Sequence, residues 1–161
     1  MAMVGPRRRS ADARSAGPPA FGPTPGDVGP PDPAGVTRSL ELALETSRRL
    51  RRPLTLVAME VPDDELRGDA VTRVAALVRS TVRDTDGLWR DGTGSLVLVL
   101  SDVDGPNCEP ALARLRLRLR REGFGAALMG RASPPPGISA ADLLELARGD
   151  RRPVARPHRP A

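Results

Sequence analysis

Apolar positions along the chain follow two patterns, the three-to-four-residue period of a helix and the unbroken run of a buried strand. Residues 37–52 place apolar side chains three and four apart, which predicts a helix that Pro53 ends. The run LTLVAMEV, residues 54–61, is continuous and of strand length, so we expect a central strand. Residues 69–83 return to the helical period and predict a second helix.

The second half of the chain begins with a predicted hairpin. Residues 88–90 and 95–100 have strand composition, and the turn 91–94 opens with Asp-Gly, a common hairpin turn. Residues 109–122 alternate leucine with arginine, but their length and strong helix formers favour a helix over a strand. A further strand and a last helix are predicted at 124–129 and 139–149.

The order of these elements predicts the fold class. Without the first and last helices it reads strand, helix, strand, strand, helix, strand, which is the split βαβ arrangement. We therefore expect an α+β fold, a ferredoxin-like βαββαβ palm with an antiparallel sheet of four strands and helices on one face. The N-terminal and C-terminal helices are additions to this core.

Composition limits the folded part to the middle of the chain. Residues 1–36 and 150–161 are rich in Pro, Gly and Arg and offer few apolar side chains to bury, so both are predicted to be disordered tails. The predicted domain is 37–149. No apolar run has the roughly 20 residues of a membrane span, and the single Cys108 suits a reducing, cytoplasmic location.

Charge argues against a specific nucleic-acid partner. The net charge is +5, but the N-terminal tail has four arginines against three aspartates and the C-terminal tail four arginines against one aspartate. The predicted domain therefore keeps only a small excess and few aromatic residues on which bases could stack. One histidine and one cysteine give no cluster for a transition metal, so no metal and no cofactor is predicted.

Several local motifs share their spacing with one known family. Gly68-Asp69 opens the second helix, Arg83 and Asp86 form an Arg-x-x-Asp motif five residues before the hairpin turn, and the last helix reads ISAADLLELARGD. Between residues 37 and 149 these motifs resemble the GGDEF family, the diguanylate cyclases of bacterial cyclic di-GMP signalling. The resemblance implies the same palm-like fold.

The resemblance also implies that the catalytic positions have changed. Members of the family carry Gly-Gly-Asp-Glu-Phe in the turn, and the acidic residues hold a metal. In this chain the first four positions of that pattern are Gly92, Thr93, Gly94 and Ser95, so both carboxylates are missing. The metal-binding aspartate of the first strand corresponds to Glu60, for which we favour the structural alternative, a strand-end carboxylate in solvent or paired with a nearby arginine. The family's guanine-reading Asn-Asp segment is absent. We therefore expect a pseudoenzyme with no catalytic residue.

The Arg83-x-x-Asp86 motif leaves a binding function open. In the family this motif forms an inhibitory site for cyclic di-GMP, because a guanidinium suits phosphate or guanine and a carboxylate accepts from guanine N–H groups. The structural alternative is a helix-ending arginine followed by a turn aspartate.

Three functions thus remain. The first is an inactive regulatory module with an unknown protein partner. The second is a cyclic di-GMP receptor that uses Arg83 and Asp86. The third and least favoured is an active diguanylate cyclase that uses Glu60.

Overall fold

Four helices and five strands make up the part of the chain that the structure, a computed structural model, describes: residues 28–62 and 70–155. In chain order these elements are α1 (Pro33–Leu50), β1 (Leu54–Glu60), α2 (Ala70–Arg79), β2 (Gly87–Arg90), β3 (Ser95–Ser101), α3 (Glu109–Arg121), β4 (Leu128–Ala132), α4 (Ala140–Gly149) and β5 (Arg152–Pro153).

The strands form one antiparallel sheet in the order β2-β3-β1-β4-β5. β1 lies at its centre, and its register with β3 runs from the pair Leu54 and Ser101 to the pair Glu60 and Ser95. All residues of β1 except the last are buried, as expected of a strand covered on both faces. The first four strands have the order and directions of the predicted ferredoxin-like palm, and β5 is an additional fifth strand at the β4 edge.

Each face of the sheet has its own apolar core, because successive residues of a strand point to opposite faces. The face covered by α2 and α3 buries Val57, Met59 and Leu98. The face covered by α1 and α4 buries Leu56 and Val97. The two palm helices thus share one face, as predicted, and the two additional helices cover the other.

The first helix begins earlier than the apolar pattern predicts. The Asp32 carboxylate accepts a hydrogen bond from Gly35 N at 2.9 Å and caps the helix, and Pro33 occupies its first turn. Val36, which falls in the predicted tail 1–36, is 1% exposed. The N-terminal boundary at 37 is therefore wrong, and the folded part includes at least residues 32–36.

The second helix ends earlier than predicted. It stops at Arg79, and residues 80–82 form a turn in which Thr81 N donates to Val78 O at 2.9 Å. Arg83 therefore lies in the connection to β2 and not in a helix. The predicted start at Asp69 lies outside the described residues.

The predicted strand at 124–129 begins later, at Leu128. Residues before it form a turn that Ala127 N closes on Phe124 O at 3.2 Å. Phe124 and Ala127 are buried, as an apolar pattern predicts, but they fill the core beneath a turn.

The predicted C-terminal tail, 150–161, contains ordered structure at its start. Arg152–Pro153 pairs with β4, Val154 N donates to Ala127 O at 2.8 Å, and the Val154 side chain is buried. The remainder of the two predicted tails, residues 1–27 and 156–161, lies outside the described residues. Within the described ranges, no helix combines the length and the apolar character needed to cross a membrane.

Gly130 permits the close approach of β4 to the connection between α4 and β5. A Cβ at this position would come within 3.0 Å of Ala147 O, Arg151 N and Asp150 C, all of them backbone atoms. We predict that Gly130→Ala lowers the free energy of unfolding by about 3 kcal/mol, because these atoms can move only with the backbone.

Gly149→Ala is the matched control for this variant. No atom lies within 4 Å of the Cβ that it would add, and position 149 ends a helix. The control should be neutral or more stable by up to about 1 kcal/mol. Urea unfolding of both variants measures the difference, and equal stabilities would contradict the close packing at Gly130.

Candidate functional site

The end of β1 and the β2–β3 turn lie together at one end of the sheet. Glu60, the last residue of β1, is the register partner of Ser95, the first residue of β3. Val61 N donates to Gly94 O at 2.8 Å and holds the turn against the end of β1. The structure therefore brings together the positions that the sequence placed in one site, Glu60 and residues 92–95.

Glu60 forms an ion pair with a residue from the C-terminal part of the chain. Its carboxylate accepts a hydrogen bond from Arg151 Nη1, and the Glu60 side chain remains 40% exposed. Arg151 Nε also donates to Arg148 O at 3.0 Å, a second bond that orients the guanidinium. The alternative considered for Glu60, a strand-end carboxylate paired with an arginine, describes its contacts in the structure.

A second ion pair joins the hairpin to α4. The Asp91 carboxylate, only 6% exposed, accepts a hydrogen bond from Arg148 Nη2, and Arg148 also contacts Glu145. Burial lowers the pKa of Arg148, but its bonds to Glu145 and Asp91 outweigh that effect and raise the pKa above its ordinary value. Two arginines of the α4–β5 region thus compensate the carboxylates nearest the turn.

The turn itself is held by Arg90. Its guanidinium donates to Thr93 O at 2.9 Å and to Gly92 O at 3.4 Å. Asp91 N donates to Ser95 O at 3.0 Å across the base of the turn. These bonds leave the turn closed on itself by backbone and arginine contacts.

The side chains at the end of β1 and in the β2–β3 turn do not fit a hard divalent cation. Such ions take several carboxylate or carbonyl oxygens, whereas Gly94 has no side chain, Ser95 offers one hydroxyl, and the Glu60 carboxylate is engaged by Arg151. In the portion of the chain with described structure, no three His, Cys, Asp or Glu side chains are grouped so that they could hold a metal.

Arg83 and Asp86 are close in sequence but differ in environment. The Asp86 carboxylate is buried, and its two oxygens accept hydrogen bonds from Arg83 N at 2.9 Å and Ser101 N at 3.0 Å. The Arg83 side chain is exposed. Arg79 Nη1 donates to Asp86 O at 2.9 Å, and burial lowers the pKa of Arg79 despite the nearby carboxylates. Asp86 therefore holds the turn and the end of β3, while Arg83 faces solvent.

A cavity of about 340 Å³ lies beside this turn, at the end of the sheet opposite to Ser95. Leu50, Pro53 and Val99 form apolar walls, and Asp84 and Thr85 lie at its border. Sequence reasoning did not find this cavity, because its walls come from α1, β1 and β3 together.

No family model and no curated protein sequence matches the chain. Its structure is similar to that of the active GGEEF domain of a diguanylate cyclase from Vibrio cholerae, with a TM-score of 0.62 and 18% identity over 74% of this chain and 86% of that one. It is also similar to the GGDEF domain of DgcB from Caulobacter crescentus in complex with c-di-GMP, with a TM-score of 0.58 and 15% identity over 70% and 77% of the two chains.

A third similar structure is the diguanylate cyclase SiaD in complex with its activator SiaC from Pseudomonas aeruginosa. The TM-score is 0.57 with 22% identity, and the match covers 73% of this chain and 52% of that one. At these identities the similarity establishes the fold. The chain has the palm fold that these GGDEF domains share, as its sequence predicts.

The buried carboxylate of Asp86 gives a prediction about stability. Asp86→Ala removes the acceptor of two backbone N–H groups, so we expect the free energy of unfolding to fall by about 3 kcal/mol. Asp84→Ala, at an exposed position two residues away, is the matched control and should change stability by less than about 0.5 kcal/mol. Thermal and urea unfolding measure both, and an Asp86→Ala protein as stable as the control would contradict a structural role.

Proposed function

We propose that this chain is a GGDEF-like module without cyclase activity that acts in cyclic di-GMP signalling through contact with a protein partner. The observation that carries the proposal is the ion pair between Glu60 and Arg151, opposite Ser95. Where a metal-dependent enzyme needs acidic ligands, this chain has one carboxylate with an arginine as its counter-ion.

The chemistry of phosphoryl transfer supports the proposal. Joining two nucleotides through a 3′-hydroxyl requires that charge developing on the phosphate be offset, and divalent ions held by carboxylates supply that charge. Arg151 could offset negative charge, but it is bonded to Glu60 and to Arg148 O. A second arginine, Arg148, is bonded to Asp91 in the same way.

A protein partner is supported by one comparison and one surface. The similar cyclase SiaD is found in complex with an activator, SiaC. In this chain Leu50 is 51% exposed at the border of the cavity beside the Asp86 turn. A surface cavity with apolar walls can receive an anchoring side chain of a protein partner. The buried, unpaired Cys108 supports the cytoplasmic location that we also propose.

An activity assay tests the absence of catalysis. Pure protein incubated with GTP and either Mg²⁺ or Mn²⁺ should form no cyclic di-GMP by liquid chromatography and mass spectrometry. An active diguanylate cyclase assayed in parallel controls for the conditions. Product from the wild-type chain that disappears in Glu60→Gln would overturn the proposal in favour of an active enzyme.

Metal binding tests the physical reason directly. We predict that the double variant Ser95→Glu/Arg151→Ala gains measurable Mn²⁺ affinity by calorimetry, since two carboxylates then face each other in register without a counter-ion. The single variant Arg151→Ala should bind Mn²⁺ far more weakly, because Glu60 stands alone. Saturable Mn²⁺ binding by the wild-type chain that is lost in Glu60→Gln would show that Arg151 does not take the place of a metal.

A cyclic di-GMP receptor is a second candidate function, favoured by the exposed Arg83 on a turn that Asp86 makes rigid. The similar structure of the GGDEF domain of DgcB is in complex with c-di-GMP. Because the oxygens of Asp86 are bonded to backbone N–H groups, Arg83 would supply the main contact.

Isothermal titration with cyclic di-GMP separates the two functions. A receptor should release heat on binding and lose roughly tenfold or more in affinity in Arg83→Ala. The matched control is Arg38→Ala, an exposed arginine on α1. Absence of heat, or equal loss in both variants, excludes the receptor function and leaves the protein-contact function.

A further inference from the structure

Helix α3 presents an arginine-rich outer face. Five of the eight residues from 114 to 121 are arginine, and Arg114, Arg118, Arg120 and Arg121 are exposed. The opposite side of the helix buries Leu112, Leu115 and Leu119 in the core. The net charge of the whole domain conceals this arrangement, because the positive charge is concentrated on one helix.

Most arginines of this face have no carboxylate partner, although the exposed Glu122 directly follows Arg121. Over the described residues, the ion pairs of α3 join Glu109 to Arg116 and Arg131, and Arg118 bonds to the hydroxyls of Ser80 and Thr81. Arg114, Arg120 and Arg121 take part in none of the ion pairs in those ranges. The neighbouring helix, Ala70–Arg79, adds two arginines and no acidic residue.

An exposed leucine lies at the centre of the arginines. Leu117 is 40% exposed. Arg114, Arg120 and Arg121 stand three or four residues from it, so they are its neighbours on the helix surface. We define Leu117 with these three arginines as the α3 basic face.

Ala155 contacts the turn that follows α3. Ala155 N donates to Gly125 O at 2.9 Å, four residues after Arg121. The sequence then continues with Arg156 and Arg159.

We propose that the α3 basic face binds an anionic lipid surface. Clusters of four to eight basic residues on a helix are attracted to anionic headgroups, and the attraction falls off within a Debye length. Guanidinium groups donate to lipid phosphates, while an apolar side chain among them gains by entering the headgroup boundary. The four exposed arginines of α3 meet the first requirement, and Leu117, which lies among them, meets the second.

The same residues fit a nucleic acid less well. The phosphates of a duplex would bind the arginines, but they would bring a polar and charged surface against the apolar side chain of Leu117. Single strands are bound by stacking on exposed aromatic rings, whereas Phe124 is buried beneath Arg73 and Trp89 lies on the opposite face of the sheet. We therefore place the lipid surface first and use nucleic acid as a contrary outcome of the test.

Co-sedimentation of the full chain with lipid vesicles tests the proposal. The chain should bind phosphatidylglycerol vesicles at low ionic strength, bind phosphatidylcholine vesicles much less, and lose binding as salt is added. Arg114→Gln/Arg121→Gln should weaken binding to phosphatidylglycerol by roughly tenfold or more. The matched control, Arg38→Gln/Arg49→Gln, removes the same charge from exposed positions on α1 and should weaken binding by less than about twofold.

Leu117→Ser separates a lipid contact from a purely electrostatic one. We expect it to weaken vesicle binding by about threefold without changing its salt dependence. Circular dichroism confirms that each variant folds. Equal losses in the two double variants, or no binding to phosphatidylglycerol, would overturn the proposal. Tighter binding to duplex DNA or RNA at the same ionic strength, unchanged by Leu117→Ser, would overturn it in favour of a nucleic-acid surface.

Discussion

Burial of β1 on both faces and along both edges is the constraint on which the other elements depend. Its residues Leu54–Glu60 pair with β3 on one side and β4 on the other, so the strand has no free edge. Because it is apolar on both faces, it needs two layers of helices, and α1 with α4 supply one that a minimal palm does not have. The position of the site depends on the same strand, because Glu60 is the last residue of β1 and its register with β3 places it opposite Ser95.

The parts of the fold that could be predicted from sequence are those whose signal is local. The β1 run, the strong helix formers of α3 and the Asp-Gly turn are each local signals, and the structure contains all three elements. The elements that the sequence did not predict lie in segments rich in Pro, Gly and Arg, which resemble disordered tails in composition. Asp32 and Pro33 begin a helix inside a Pro- and Gly-rich stretch, and Arg152–Pro153 forms a strand where arginine and proline favour disorder. Tertiary contacts decided these segments.

The candidate site likewise has features that the sequence indicated and features that it did not. The family resemblance implied that Glu60 and residues 92–95 belong to one site. The partner of Glu60 is Arg151, 91 residues away, and no local pattern indicates it. The role of Asp86 depends on Ser101 N, which only the register of β3 brings near. The α3 basic face was hidden for another reason: net charge counts residues without regard to the face on which they lie.

The central position of β1 has a consequence for the order in which the protein is made. Its neighbours in the sheet are β3, which begins at Ser95, and β4, which begins at Leu128. A ribosome releases β1 long before either, and chains fold in the direction of synthesis. The nascent chain therefore carries an apolar, β-forming segment of low charge and without proline, the composition that aggregates most readily when its edges are free. Until residue 132 emerges, the segment that later forms the middle of the sheet is the part of the nascent chain most in need of a chaperone.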